Sequence, residues 1–246
     1  MNILISNDDG IDALGISTLA AWIGRDNHVF VVAPDRERSA ASHSLTLKHP
    51  LKVKNLGDDR YSVDGTPADC INLAVNTIMP VRPDLVLSGI NHGANMGDDI
   101  SYSGTVSAAK EGMLLGIPSL AFSLEMKHSH DFEPAARFAA KLVRFIQDNP
   151  VPPDTLLNIN VPDRLVDNEV PYRITRQGQR IYDDTDIKKA TARGGNYYTI
   201  RAHEIQFNTD IESDFYAVTN GYISITPLHL DMTNYSSIAE LRTWHL

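Results

Sequence analysis

The stretch Asn2-Ile3-Leu4-Ile5-Ser6-Asn7-Asp8-Asp9-Gly10 decides the fold. A short β-branched apolar run that breaks into Asn, Asp and Gly reads as a buried strand closed by a turn. Such strands build open α/β sheets, whose ligand crevices lie at the strands' carboxyl ends. Asp8 and Asp9 therefore stand where a cation would be held. Neighbouring residues of a regular strand point to opposite faces, so both carboxylates reach one crevice only if the chain turns sharply. Gly10 permits that turn. The plainer alternative is a turn with no further role, Asp12 capping the helix that follows.

Outward from this stretch, strands and helices alternate. Residues 13 to 25 read as a helix and 28–33 as a strand closed by Pro34. Residues 51–54 and 60–63 alternate as a β-hairpin around Gly57-Asp58-Asp59, whose two acids are turn residues. Thr66-Pro67 opens a helix reaching Met79, followed by a buried strand over 84–88. A polar, glycine-containing loop over 90–103 leads into a helix over 105–115 and a strand over 118–122. Phe132, Ala136, Ala139, Leu142, Val143 and Ile146 recur at helical spacing up to Asn149-Pro150, and 156–161 is again a strand.

This order predicts an α/β fold, a doubly wound, mostly parallel Rossmann-like sheet occupying residues 1–162. Residues 163–246 read as a C-terminal β-hairpin/helix extension, with strands over 197–202 and 217–226 and a short helix over 236–242. An extension with so little core of its own must pack on the main domain or on a neighbouring subunit, which predicts an oligomer.

Composition narrows the function. The chain has 246 residues, 42% hydrophobic and 22% charged, and no apolar run approaches the roughly 20 residues of a membrane helix. No signal peptide is visible at the N-terminus. A net charge of −9 leaves no basic footprint for duplex nucleic acid. A small anionic substrate is admissible if a metal or local donors offset the protein's field. The single Cys70 cannot form an internal disulfide and reads as a small buried hydrophobe.

Three strand ends open on one edge of the sheet. The first carries Asp8 and Asp9, the second the hydroxyls and cations of 34–44, and the third Ser88-Gly89-Ile90-Asn91-His92-Gly93-Ala94-Asn95. Carboxylate, hydroxyl and carboxamide oxygens suit Mg²⁺, Mn²⁺ or Ca²⁺ better than a thiolate-bound metal. The nine histidines show no HExxH spacing, and His128-Ser129-His130 reads as a solvated loop. Ser103-Gly104-Thr105 opens a helix whose N–H groups and dipole could receive an anion, although a simple N-cap would look the same.

Taken together, Asn7-Asp8-Asp9-Gly10, Ala33-Pro34-Asp35 through Arg38-Ser39-Ala40, the run from Ser88 to Asn95, Ser101-Tyr102-Ser103-Gly104-Thr105-Val106 and Gly221-Tyr222-Ile223-Ser224-Ile225-Thr226-Pro227-Leu228 resemble the SurE family of stationary-phase survival proteins. The resemblance spans nearly the whole chain and is loosest between 163 and 217. It implies a cytoplasmic, metal-dependent phosphatase of nucleoside 5′- and 3′-monophosphates and short polyphosphate, assembled as a dimer or tetramer by exchange of C-terminal segments. By position it implies one divalent ion held by Asp8, Asp9, Ser39 and Asn91. Asn95 and the Ser103-Gly104-Thr105 turn would then bind the remaining phosphoryl oxygens. Attack by water and attack by Asp8, giving an aspartyl-phosphate, both remain open. Two other classes compete: a Mg²⁺-binding receiver domain, whose acceptor Asp is missing where the third strand gives way to Ser88-Gly89-Ile90-Asn91, and a nucleotide-binding module without turnover.

Overall fold

The computed structural model describes residues 1–126, 130–163, 171–181, 186–192, 195–201, 206–207 and 210–244, with the backbone alone for those between 181 and 207. Its main sheet contains the strands β1 (Asn2–Ser6), β2 (His28–Pro34), β3 (Val53–Gly57), β4 (Arg60–Val63), β5 (Leu85–His92), β6 (Ser119–Leu124), β7 (Leu156–Val161), β8 (Tyr172–Ile174) and β13 (Ile223–Leu228). Across the sheet they run β3-β4-β2-β1-β5-β6-β7-β13-β8. β4, β2, β1, β5, β6 and β7 are mutually parallel, while β3 and β13 run antiparallel to their neighbours β4 and β7.

β1 is central. The chain leaves it toward β2 and later returns on its other side as β5, so the order reverses between β1 and β5. That reversal opens a crevice at the strands' carboxyl ends.

Alternation along β1 divides the core. Ile3 and Ile5 face a cluster with Ile16, Leu19 and Ile23 of α1 (Leu14–Ile23) and Ala136 and Val143 of α4 (Glu133–Asp148). Leu4 faces the opposite layer, with Phe30, Val32, Val86, Cys70 and Ile71 of α2 (Pro67–Leu73) and Ala108 of α3 (Gly104–Leu114). The sheet therefore has helices on both faces, as a doubly wound fold requires. Cys70 is fully buried among apolar side chains, and burial pushes its thiol well above the ordinary value. Thr66 caps α2 by a reciprocal capping box with Asp69, and a π-helical turn, Ala74–Ile78, carries the helix toward Met79.

Several elements differ from the sequence expectation. Asp12 caps nothing: Ala13 is the N-cap of α1 and makes no side-chain cap bond. β5 runs on past Ser88 to His92, through an irregularity between Ser88 and Asn91. The loop after it contains a 3₁₀ turn, Gly97–Ser101. The strand expected over 217–226 is instead α5 (Asp214–Thr219) followed by β13, because the Ser213 hydroxyl caps the Tyr216 N–H and starts a helix there. The sheet also continues past residue 162, since β13 pairs with β7 and β8 with β13.

A separate hairpin, β10 (Asp186–Ala192) with β11 (Gly195–Arg201), covers most of the strand expected over 197–202, whose last residue lies outside the described ones. The short pair β9 (Arg180–Ile181) and β12 (Gln206–Phe207) stands at the hairpin's base. α6 (Tyr235–Leu241) buries none of its residues. Among the described residues no helix is long and apolar enough to cross a membrane.

Candidate active site

Asp8 and Asp9 are brought together by the turn at Asn7. The Asn7 side chain accepts the Gly10 N–H at 3.2 Å and donates to the Gly10 carbonyl at 2.9 Å. Gly10 has φ +101°, and a Cβ there would lie 3.0 Å from the Arg36 backbone, so the turn requires glycine twice over. Asp8 is 4% exposed and accepts hydrogen bonds from the hydroxyl and backbone N–H of Thr105. Asp9 accepts the His92 N–H at 3.1 Å. The mouth of α3 thus abuts Asp8, and a Cβ at Gly104 would come within 2.7 Å of the Asp8 Cβ. Ser103 caps the helix through the Val106 N–H.

The two acids open into a cavity of about 320 Å³ at the crevice beside β1 and β5. Asp8, Asp9, Ser39, Asn91, Asn95 and Ser103 line it. Gly104 and Thr105 do not; they stand behind Asp8 and fix it. Glu37, His92 and Asp99 also line the cavity and were not singled out from the sequence. Tyr102, 61% exposed, stands in the cavity wall. His130 is exposed and stacks on His92 with ring centroids 5.6 Å apart, while His128 and Ser129 lie outside the described residues.

Burial, opposed by the Thr105 hydroxyl and reinforced by the Asp9 charge, pushes the Asp8 carboxyl up to about 6. Burial also raises Asp9, against the His92 N–H. Two adjacent carboxylates held this way gain most from a positive charge between them.

Two neutral side chains of the cavity also keep oxygens available. Asn91 commits its amide nitrogen to the Gly93 carbonyl at 2.8 Å, leaving its oxygen as an acceptor. Ser39 donates its hydroxyl proton to Glu37 at 2.7 Å, leaving its lone pairs free. Among the described residues no three His, Cys, Asp or Glu side chains gather into a metal-binding group. The set on offer is two carboxylates with neutral oxygens, which fits a hard cation.

The loop bearing Ser39 is fastened at several points. Arg38 N–H donates to the Asp8 carbonyl at 2.7 Å, Ser42 N–H to the Tyr102 carbonyl at 3.3 Å, and His43 meets the buried Glu111 at 2.9 Å. Asn95 is fixed from beneath: its N–H donates to Asn160, its side chain to Ser123, and its carbonyl accepts from Asn158 and Asn160. Two asparagines interrupting the apolar run of β7 were the available sequence signal for that floor, since buried amides need partners.

The model of the family described as "Survival protein SurE" matches residues 3–184. The chain is 47% identical to the 5′-nucleotidase SurE of Geotalea daltonii over 247 residues, covering 100% of both. It is 51% identical to that of Geobacter metallireducens over 245 residues, covering 99% of this chain and 97% of the relative. The crystal structure of the SurE protein from Aquifex aeolicus is similar at 43% identity and a TM-score of 0.88, covering 98% of each chain. With likeness of sequence and backbone running the whole length, the chain belongs to the SurE family.

Proposed function

We propose that the protein is a divalent-metal-dependent phosphomonoesterase that converts nucleoside 5′- and 3′-monophosphates to nucleoside and phosphate, with short polyphosphate as a further substrate. One arrangement carries this reading: two adjacent acids, Asp8 buried and Asp9 half-buried, share a cavity with Ser39 and Asn91 at the sheet's switch point. The name 5′-nucleotidase borne by full-length relatives agrees with it.

Asp8, Asp9, Ser39 and Asn91 would hold one Mg²⁺, Mn²⁺ or Ca²⁺ ion. When bound, such an ion supplies positive charge to a phosphoryl oxygen and makes a water more acidic. The rest is positioning and charge neutralisation, which is what phosphoryl transfer demands. Thr105 and His92 N–H keep Asp8 and Asp9 aimed into the cavity. Asn95 and Ser103 set donors beside the remaining phosphoryl oxygens, and Gly104, behind Asp8, lets the positive end of α3 approach. We take water as the attacking group, and acid-quenched enzyme should then carry no phosphate on Asp8.

The groups that would hold the ion and the phosphate lie within residues 1–162. Residues 163–246 serve chiefly to assemble a homodimer or homotetramer, a role suited to α6 and to the exposed Met232, Tyr235 and Trp244. A cytoplasmic location follows from the family resemblance.

The test is phosphate release from adenosine 5′- and 3′-monophosphate after EDTA treatment and re-addition of each metal. Metal-restored turnover that Asp8→Asn abolishes is the expected result. Nucleotide binding that needs no metal and leads to no turnover would overturn the reading.

A further inference from the structure

The chain beyond residue 162 reaches the cavity wall at Asp99. The Arg180 guanidinium, whose side chain is 13% exposed, donates to the Asp99 carboxylate at 2.8 Å, and the Arg180 N–H donates to Asp98 at 3.1 Å. Beside it, the Gln177 amide donates to the Gly97 carbonyl at 2.9 Å. The fully buried Asp214 accepts from both Gly97 N–H at 2.9 Å and Gly178 N–H at 3.0 Å. The 3₁₀ turn is thus gripped from a distant part of the chain. Its grip matters to the cavity, because the Asp99 carbonyl accepts the N–H groups of Tyr102 and Ser103 at 3.0 and 3.1 Å.

Charge gives the contact a second meaning. The cavity wall carries Asp8, Asp9, Glu37 and Asp99 and, among the described residues, no Lys or Arg. A phosphate dianion entering such a wall is repelled by every carboxylate that is not offset. A cation would offset Asp8 and Asp9. For Asp99 the fixed positive charge is Arg180.

We propose that Arg180 is a positioning residue of the nucleotide cavity: it cancels the Asp99 charge and holds the turn that sets Tyr102 and Ser103, so that a phosphate monoester is admitted. This rests on the nucleotidase reading above. Removing the guanidinium strands a partly buried carboxylate in the path of an anionic substrate and loosens the turn.

The experiment compares wild type, R180A, R180K and R180A/D99N by steady-state kinetics with adenosine 5′-monophosphate. Calorimetric binding of inorganic phosphate to the Mn²⁺-loaded proteins and thermal melting accompany it. R180A should raise KM and the phosphate Kd by about ten- to a hundredfold, R180K should recover part, and adding D99N to R180A should lower both again. A residue that only supported the fold would lower Tm and the active fraction, leave KM alone and gain nothing from D99N. Values for R180A within about twofold of wild type, or a defect deepened by D99N, would overturn the proposal. If wild type binds phosphate yet hydrolyses no nucleotide, the nucleotidase reading fails instead, and the phosphate affinities still decide the role of Arg180.

Discussion

Asp8 owes its position to three neighbours with different tasks. Asn7 closes the turn, Gly10 allows it, and Thr105 binds the carboxylate from the next layer. The first two were legible in the sequence, because the Asn-Asp-Asp-Gly run is itself the turn. Thr105 was legible only as a helix opener; that it serves Asp8 rather than the ligand depends on how closely α3 approaches β1, a distance sequence does not encode. Glu37 and Asp99 escaped for a related reason, since an acid in a polar loop has no local signature until the loop is folded over the cavity. Tyr102 carries a prediction at this scale. An exposed ring in the wall is placed to stack on a nucleobase, a contact worth about 1–3 kcal/mol. Tyr102→Ala should therefore raise KM for adenosine monophosphates about fivefold or more while leaving KM for a small aryl phosphate nearly unchanged. Equal effects on both substrates would assign the ring to phosphate positioning instead.

The elements were read best where the period of the pattern matched a single environment. β1, β2, β6 and α4 met that condition, and the hairpin β3–β4 carried its own turn residues, Asp58 and Asp59, at φ 49° and 55°. The helix α5 was hidden because its six residues are too few for a helical period to show; the cap at Ser213 marks it. One contact between elements sets the stability of the Ser39 loop. Glu111 on α3 accepts from Asn72 on α2 at 2.9 Å and meets His43 of the loop. The His43 hydrogen bond holds the Glu111 carboxyl below its ordinary value against the opposing effect of burial. The folded state therefore binds this proton less tightly than the unfolded one, so the stabilisation is present above the ordinary glutamate value and lost as pH falls through the lowered one. Glu111→Gln should cost about 1–3 kcal/mol at neutral pH, and urea titrations should show the gap to wild type closing in acid. A gap that persists unchanged through the acid range would separate Glu111's contribution from its charge.

At the scale of the whole molecule, the sheet and the C-terminal residues answer to different constraints. The sheet was predictable because its layers are filled by contiguous apolar strands. β8 was not, because it takes its place from β13, which is itself seated on β7. Residues after Leu228 contribute little to the fold of one chain, with Met232 96% exposed and α6 unburied. Ending the chain at Leu228 should leave Tm within a few degrees of wild type and convert the proposed oligomer to monomer in sedimentation velocity; an oligomer that survives the truncation would place the interface elsewhere. The sheet order also imposes a timetable on biosynthesis. β8 joins the sheet through β13, which is made later, and β7 presents an open edge until the same strand arrives. Asp214, which locks the turn beside the cavity, belongs to that late segment too. A nascent chain still on the ribosome would thus carry both acids long before it could act on a nucleotide, its sticky flank guarded only by the speed of translation or by a chaperone.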